Sequence, residues 1–207
     1  MPTPNLCEKP MAEAPSALPE DNRMSRYSGV AMALHWLVAL LILGNLVMIW
    51  FIDHYPDAWV RPVIDLHKSI GITVLGLVLL RILWRIGHRP PALPASYPRA
   101  EKLAAHAAHA LLYAVILLLP LTGWIHDSAG KDAPTHPMSL YGLVPWPRIA
   151  LIMHQPAAAK EALHSLFFAF HKYLAYLLYV LFVLHVGAAL KHQFLDKEPE
   201  LQRMLPG

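Results

Sequence analysis

The sequence predicts an all-α, polytopic membrane protein in which four transmembrane helices form a bundle. Of its 207 residues, 56% are hydrophobic and only 15% are charged, whereas soluble domains average about 25% charged residues. The apolar residues are concentrated in four long stretches, each able to cross the roughly 30 Å hydrocarbon core of a bilayer as a helix. Several of the thirteen histidines lie inside these stretches, where an ionisable side chain usually has a function.

Composition also excludes several other classes of protein. The formal net charge of +3 is too small to indicate a nucleic-acid-binding protein. The single cysteine, Cys7, excludes an internal disulfide framework and any zinc or iron–sulfur site built on cysteines. A metal or ion transporter that uses paired histidines is disfavoured rather than excluded, because it would be expected to carry acidic residues at mid-membrane and the four stretches have none there.

The predicted spans differ in the number of charged residues that interrupt them. The first carries no charged residue and is long enough to cross the core; the second is interrupted by Lys68 and Arg81, the third is uncharged, and the fourth holds only Lys172. Basic residues ahead of the first stretch also fit a cleaved signal peptide, but this stretch is longer than a signal core and gives the chain an even number of spans. The four spans are residues 31–51, 65–85, 103–125 and 163–190.

The segments outside the spans divide into a tail and a cap. Residues 1–23 are rich in Pro, Ala and Glu and are predicted to be a disordered tail, so that residues 24–207 form the membrane domain. The connection between the third and fourth spans is rich in proline and predicts an extracytoplasmic cap with one short helix near residues 157–163.

Positively charged residues predict the orientation of the bundle. They flank the ends of the spans that share a side with the two termini, whereas the first connection holds two aspartates and one arginine. Because basic loops stay on the cytoplasmic side, both termini are expected to be cytoplasmic. The basic residues on that side are Lys9, Arg23, Arg26, Arg85, Arg89, Arg99, Lys102, Lys191, Lys197 and Arg203.

Two histidines of the fourth span share a helix face. His171 and His185 are fourteen residues apart, a spacing that returns to within about 40° of the same direction and separates them by roughly 21 Å along the axis. One therefore lies near each membrane surface. A single histidine in this setting is often a hydrogen-bonded core residue, but two on one face at opposite depths favour ligation.

The alternating direction of the spans gives each of these histidines a partner at the same depth. A haem with two axial imidazoles needs ligands at one level on different helices. His67, near the outer end of the second span, is level with His171, and His35, near the inner end of the first span, is level with His185. His106 and His109, at the inner end of the third span, compete with His35 for the second place, and spacing alone does not choose between them.

Segments in all four spans resemble the bacterial cytochrome b561 family, and the resemblance covers the chain from about residue 24 onward. The family's members are inner-membrane proteins with two b-type haems. The resemblance implies His35 and His185 as axial iron ligands on the cytoplasmic side and His67 and His171 on the periplasmic side, which leaves His106 and His109 without that role. The segments are Arg26-Tyr-Ser, Leu34-His-Trp-Leu37, Leu66-His-Lys-Ser-Ile-Gly71, Ala105-His-Ala-Ala-His109 with Tyr113, Pro120-Leu-Thr-Gly123, Phe170-His-Lys-Tyr-Leu-Ala175 and Leu184-His-Val-Gly-Ala-Ala-Leu-Lys-His192.

The resemblance also implies an activity. Relatives act as superoxide oxidases, so the chain is expected to be an oxidoreductase that passes electrons from periplasmic superoxide, or another periplasmic donor, to ubiquinone. The alternative is a haem-bearing membrane anchor and electron relay for a partner dehydrogenase or hydrogenase.

Several cationic or titratable side chains are candidates for the chemistry at the two ends. Lys172, next to His171, is expected to attract the superoxide anion, with Arg148 and Lys160 as weaker candidates; the alternative for Lys172 is simple snorkelling to the interface. His192 and Arg81 are expected near a quinone at the inner end, with His109 at the same depth. Arg81 could instead pair with haem propionates.

Overall fold

The structure is a computed structural model that describes residues 26–205, so the predicted tail at residues 1–23 lies outside the described part. Within this range there are five α-helices and one two-stranded sheet. The elements are α1 (Gly29–Trp50), α2 (Asp57–Gly87), α3 (Arg99–Ala129), β1 (Ser139–Leu140), β2 (Val144–Pro145), α4 (Ala150–Met153) and α5 (Ala157–Phe194), with a 3₁₀ turn at Ile52–His54. Among these helices α1, α2, α3 and α5 are long and apolar enough to cross a membrane. The predicted four-helix membrane fold is confirmed.

Prolines mark the starts of three of the four long helices. Pro56, Pro98 and Pro156 immediately precede α2, α3 and α5, where the missing proline N–H removes no helical hydrogen bond. α1 begins instead at Ser28, whose hydroxyl accepts the Ala31 N–H at 3.3 Å, as an N-cap residue does.

α2, α3 and α5 extend beyond the spans predicted from hydropathy. The apolar pattern ends where a helix leaves the hydrocarbon, but the backbone continues as helix through the polar residues that follow. The short helix predicted near residues 157–163 is wrong for this reason: those residues are the first turns of α5, which starts directly after Pro156 and runs through alanines. The short helix of the cap is instead α4, at Ala150–Met153.

The helices pack in chain order around the bundle, with α1 against α2, α2 against α3, and α3 against α5. One buried cluster joins α1 to α2 through Val38, Val74 and Val78, and a second joins α3 to α5 through Val115 and Leu178. Most other large apolar side chains face outward, as expected for helices whose solvent is lipid.

The two ends of the bundle differ, and we call them the terminal end, which holds the residues nearest both termini, and the cap end. The cap comprises residues 130–156 and is fastened to the helices by two buried serines. Ser69 Oγ accepts the Tyr141 N–H at 2.9 Å, and Ser128 Oγ accepts the Ile149 N–H at 3.0 Å. Asp127, at the end of α3, adds an ionic fastening because it pairs with Lys68 at 2.7 Å and Arg148 at 2.9 Å.

The terminal end is closed by a C-terminal strap, residues 195–205. The Trp36 indole N–H donates to the Met204 carbonyl at 2.7 Å, which ties the strap to α1. The Tyr97 phenol, before α3, donates to Glu200 at 3.0 Å. Burial raises the pKa of Tyr97 well above its usual range, and the bond to Glu200 adds to the shift, since an ionised phenol would face a carboxylate.

Candidate functional site

Four membrane histidines form two facing pairs, one toward each end of the bundle. At the cap end, His67 on α2 faces His171 on α5, with ring centroids 5.9 Å apart and an interplanar angle of 85°. Toward the terminal end, His35 on α1 faces His185 on α5, with centroids 6.2 Å apart and an angle of 69°. The structure therefore brings together the same two pairs that the depth argument predicts.

The spacing within each pair fits an iron held between two imidazoles. A metal–imidazole bond of about 2.0 Å on either side of the ion places the ring centroids roughly 6 Å apart. Both observed separations agree with this value. Because His171 and His185 are fourteen residues apart on one helix, the two pairs lie roughly 21 Å apart along the bundle.

Asn45 on α1 fixes the ring of His67. The Asn45 Nδ2 donates to the His67 carbonyl at 3.3 Å, which orients the amide so that its Oδ1 faces His67 Nδ1 at 3.0 Å. An amide oxygen only accepts hydrogen bonds, so Nδ1 carries the proton and Nε2 keeps its lone pair. A ring nitrogen fixed in this way by a neighbouring group is typical of metal-binding histidines.

α3 does the same for His171. The His171 Nδ1–H donates to the Leu119 carbonyl at 2.9 Å, and the Thr122 hydroxyl lies 3.3 Å from the same nitrogen. Gly123 leaves room for the ring, since a Cβ there would lie 3.0 Å from His171 Cε1. Asn45 and Thr122 were not identified from the sequence as hydrogen-bond partners of these histidines. Both are polar residues inside apolar spans, and that feature could have pointed to them.

The terminal end holds a third imidazole. His109 on α3 faces His185 with ring centroids 5.5 Å apart, slightly closer than His35. His106, one turn earlier on α3, is exposed. The structure therefore keeps His35 and His109 beside His185 and sets His106 apart.

Two arginines and a tyrosine lie beside these histidines. Arg81 Nε donates to the Tyr113 hydroxyl at 2.8 Å. The guanidinium carbons of Arg81 and Arg85 lie 5.7 and 5.6 Å from the centroid of the Tyr113 ring, within the range of cation–π attraction. This part of α2 thus offers two cations at the terminal end without an acidic partner among the described contacts.

His192 belongs to a separate polar network at the end of α5. Its Nδ1 lies 2.7 Å from Asp196 Oδ2, and its ring stacks on Tyr97 with centroids 4.4 Å apart. Lys191 bridges Asp196 and Glu101 at 2.8 and 3.0 Å. The hydrogen bond from Lys191, followed by that from His192, lowers the pKa of the Asp196 carboxyl. The ligand atoms of Glu101, His192 and Asp196 lie within 4.8 Å of one another, but the Lys191 ammonium already lies between the two carboxylates.

At the cap end, Lys172 and Arg148 have different settings. The Lys172 side chain is exposed, and its Nζ lies 5.9 Å from the ring of Tyr176, one turn further along α5. Arg148 is largely buried against Asp127. A cavity of about 340 Å³ opens beside Arg148 and is lined by His126 and His164. These two rings stack at 4.0 Å, and each Nδ1–H donates to the other residue's carbonyl, at 3.0 and 3.2 Å.

Comparison with known proteins agrees with this architecture. The family model for prokaryotic cytochrome b561 matches residues 26–207. The chain is 34% identical to cytochrome b561 homolog 2 of Escherichia coli (strain K12), over 89% of this chain and 93% of that protein. It is 30% identical to the probable superoxide oxidase CybB of Yersinia pestis, over 87% of this chain and 96% of that protein. The chain therefore belongs to the prokaryotic cytochrome b561 family of multi-pass membrane proteins, whose members carry b-type haem and transfer electrons.

Proposed function

We propose that this protein is a di-haem cytochrome of the bacterial inner membrane that oxidises superoxide on the cap side and reduces ubiquinone on the terminal side. The observation that carries the proposal is the pair of imidazole–imidazole separations, 5.9 Å for His67 with His171 and 6.2 Å for His35 with His185. The name of the Yersinia relative, a probable superoxide oxidase, supports the choice of donor. Both termini would then be cytoplasmic.

The hydrogen bonds of the cap-end pair support its role in holding iron. Asn45 Oδ1 and the Leu119 carbonyl each accept a hydrogen bond from the Nδ1–H of their histidine, which leaves each Nε2 with a lone pair that could bind iron. When bound, the haems would supply one-electron carriers with no open iron position, chemistry suited to electron transfer rather than to oxygen binding. The surrounding apolar helices exclude water from this space.

At the cap side, positive charge would help an anion to approach. Lys172 is exposed and adjacent to His171, so in this proposal it raises the encounter rate with superoxide. Arg148 contributes less, because Asp127 lies against it at 2.9 Å. Lys160, in the first turn of α5, also lies at this end of the bundle.

At the terminal side, ubiquinone needs two protons as well as two electrons to become quinol. Arg81 would orient the quinone or a haem propionate, since its Nε is held by the Tyr113 hydroxyl at 2.8 Å. His192 would deliver protons from the aqueous side, because its Nδ1 contacts Asp196 and its ring is half-buried against Tyr97. His109 lies beside His185 and offers a second titratable group at this end.

The first test is the haem content of the purified protein, from absorption spectra before and after reduction with dithionite. We expect two low-spin b haems per polypeptide. A single haem would mean that one pair is wrong, and the variants His35→Ala and His109→Ala would then identify the residue that faces His185. Absence of haem would refute the proposal.

The second test separates the superoxide oxidase from an electron relay. Superoxide generated enzymatically should reduce the haems, and ubiquinol should accumulate in proportion. In Lys172→Glu the reduction rate and its salt dependence should fall, whereas the control Lys197→Glu, at the terminal end, should behave as wild type. An unchanged Lys172→Glu removes that residue from the mechanism and leaves it as a snorkelling lysine. Haems that superoxide does not reduce, in a chain that co-purifies with a dehydrogenase or hydrogenase, would establish the relay.

A further inference from the structure

The hairpin formed by β1 and β2 belongs to the cap and packs against α2. Ser69, only 1% exposed, accepts the Tyr141 N–H at 2.9 Å. The Tyr141 hydroxyl lies 2.7 Å from the Thr73 hydroxyl, one turn further along α2. The hairpin therefore contacts a membrane-spanning helix at two successive turns.

The contacted turns of α2 lie within its apolar part. Ser69 and Thr73 are four and eight residues beyond Asp65, or roughly 6 and 12 Å further along the helix axis. The intervening Lys68 side chain turns back to Asp65 and Asp127, at 3.6 and 2.7 Å. From Ser69 the helix carries no charge until Arg81. The Tyr141 hydroxyl is thus level with the apolar part of α2, and Tyr141 itself is 48% exposed.

The turn at the tip of the hairpin directs apolar side chains away from the protein. Tyr141 and Gly142 both have left-handed backbones, with φ of 54° and 70°, and the Leu143 N–H closes the turn on the Leu140 carbonyl at 2.9 Å. A left-handed tyrosine costs about 1 kcal/mol or more, and its bonds to α2 offset this cost. Leu143 is left 83% exposed and Val144 56% exposed.

We propose that the hairpin tip, residues 141–144, inserts into the leaflet on the cap side and contacts lipid acyl chains. The segment from Pro137 to Pro147 contains no charged residue, so nothing in it opposes insertion. The two tryptophans beside it, Trp124 and Trp146, lie with ring centroids 5.8 Å apart, and tryptophan favours the membrane interface. The depth of roughly 6–12 Å is that of interfacial elements whose apolar face enters the acyl region. The inserted tip holds the cap over the histidine pair of the cap end.

Site-directed spin labelling of the full chain in lipid nanodiscs tests this inference. Replacing Cys7 by serine removes the one native cysteine, and labels are then attached singly at Leu143→Cys and Val144→Cys. The lipid control is Leu79→Cys, on an outward-facing position of α2, and the aqueous control is Thr135→Cys, in the polar part of the cap. Collision rates with oxygen, which concentrates in lipid, and with a water-soluble nickel chelate are compared at each position.

We expect labels at 143 and 144 to collide more often with oxygen than with the chelate, as at Leu79, and the label at 135 to show the reverse. Chelate collisions that dominate at both hairpin positions would overturn the proposal. The readout does not depend on haem or on electron transfer, so it stands or falls separately from the proposed function.

Discussion

Placing a methyl group at Gly123 should move His171 and thereby weaken the cap-end pair. A Cβ at this position would lie 3.0 Å from His171 Cε1 and 3.1 Å from Nδ1, whereas carbon atoms pack at about 3.5–4.0 Å. The ring must then retreat from α3 by a few tenths of an ångström. This movement lengthens the 2.9 Å hydrogen bond from Nδ1 to the Leu119 carbonyl.

The sign of the change in the free energy of unfolding distinguishes this contact from the ordinary helix propensities of glycine and alanine. Alanine is normally more stable than glycine inside a helix by about 0.5–1 kcal/mol, but overpacking costs about 1–3 kcal/mol. The matched control is Gly187→Ala on α5, where the added Cβ would meet nothing within 4 Å. We expect the two variants to differ by about 1–3 kcal/mol in the free energy of unfolding, with Gly123→Ala the less stable.

Thermal unfolding and haem content together measure this effect. At about 2–4 °C per kcal/mol for a chain of this size, Gly123→Ala should unfold roughly 2–12 °C below Gly187→Ala. It should also retain less haem. Equal transition temperatures and equal haem content in the two variants would show that the ring of His171 does not lie against Gly123.

Three further predictions concern the histidine pairs and the strap. Replacing Asn45 by leucine removes the hydrogen-bond acceptor that fixes the ring of His67. Haem at the cap end should then be bound about 10–100-fold less tightly, as measured by the transfer of haem to apomyoglobin. His35→Ala should lower the haem content from two to one per chain, whereas His109→Ala should leave it at two, measured as pyridine haemochrome. The pKa of Tyr97 is raised in the folded chain. The stability that its hydrogen bond to the strap contributes is therefore present below a pH of about 10 and is lost as the pH rises through the folded-state pKa. In an alkaline titration, the tyrosinate absorbance of Tyr97 should appear at higher pH than that of an ordinary tyrosine.

Each of these predictions has its own control. Asn45→Asp keeps an acceptor and should hold haem better than the leucine variant; equal losses would mean that the hydrogen bond has no part in the site. A one-haem His109→Ala protein together with a two-haem His35→Ala protein would exchange the roles of these residues. The contribution of Tyr97 is obtained by subtracting the titration of Tyr97→Phe, and a midpoint at or below that of free tyrosine would contradict the raised pKa.

The four spans could be predicted because bilayer thickness constrains length and polarity at once. Depth left two histidines of the third span in competition with His35, but it did place His67 level with His171 and His35 level with His185, since each helix reverses the direction of the one before. Their role as iron ligands stays a prediction. The limits of the helices were less predictable, because hydropathy reports where lipid ends rather than where the backbone stops being helical.

Contacts between side chains and backbone on different helices could not be predicted from the pattern of apolar and polar residues. The acceptor for His171 is the carbonyl of Leu119, which any residue at that position would supply. Asn45 stands out as a polar residue in an apolar span, but only the rotation of α1 against α2 shows that it reaches His67. For the same reason, spacing left His35, His106 and His109 as alternatives, and His35 and His109 both lie near His185 in the folded chain.

Since both histidine pairs draw one member from α5, the order of synthesis constrains their assembly. The ribosome completes His67 and His35 long before their partners, and the 104 positions from His67 to His171 take roughly 5–20 s at about 5–20 residues per second. During that interval neither pair exists. A chain arrested before α5 would therefore enter the membrane with its earlier spans in place and neither facing pair formed, so under the proposed di-haem function the loading of both sites would follow completion of the last helix.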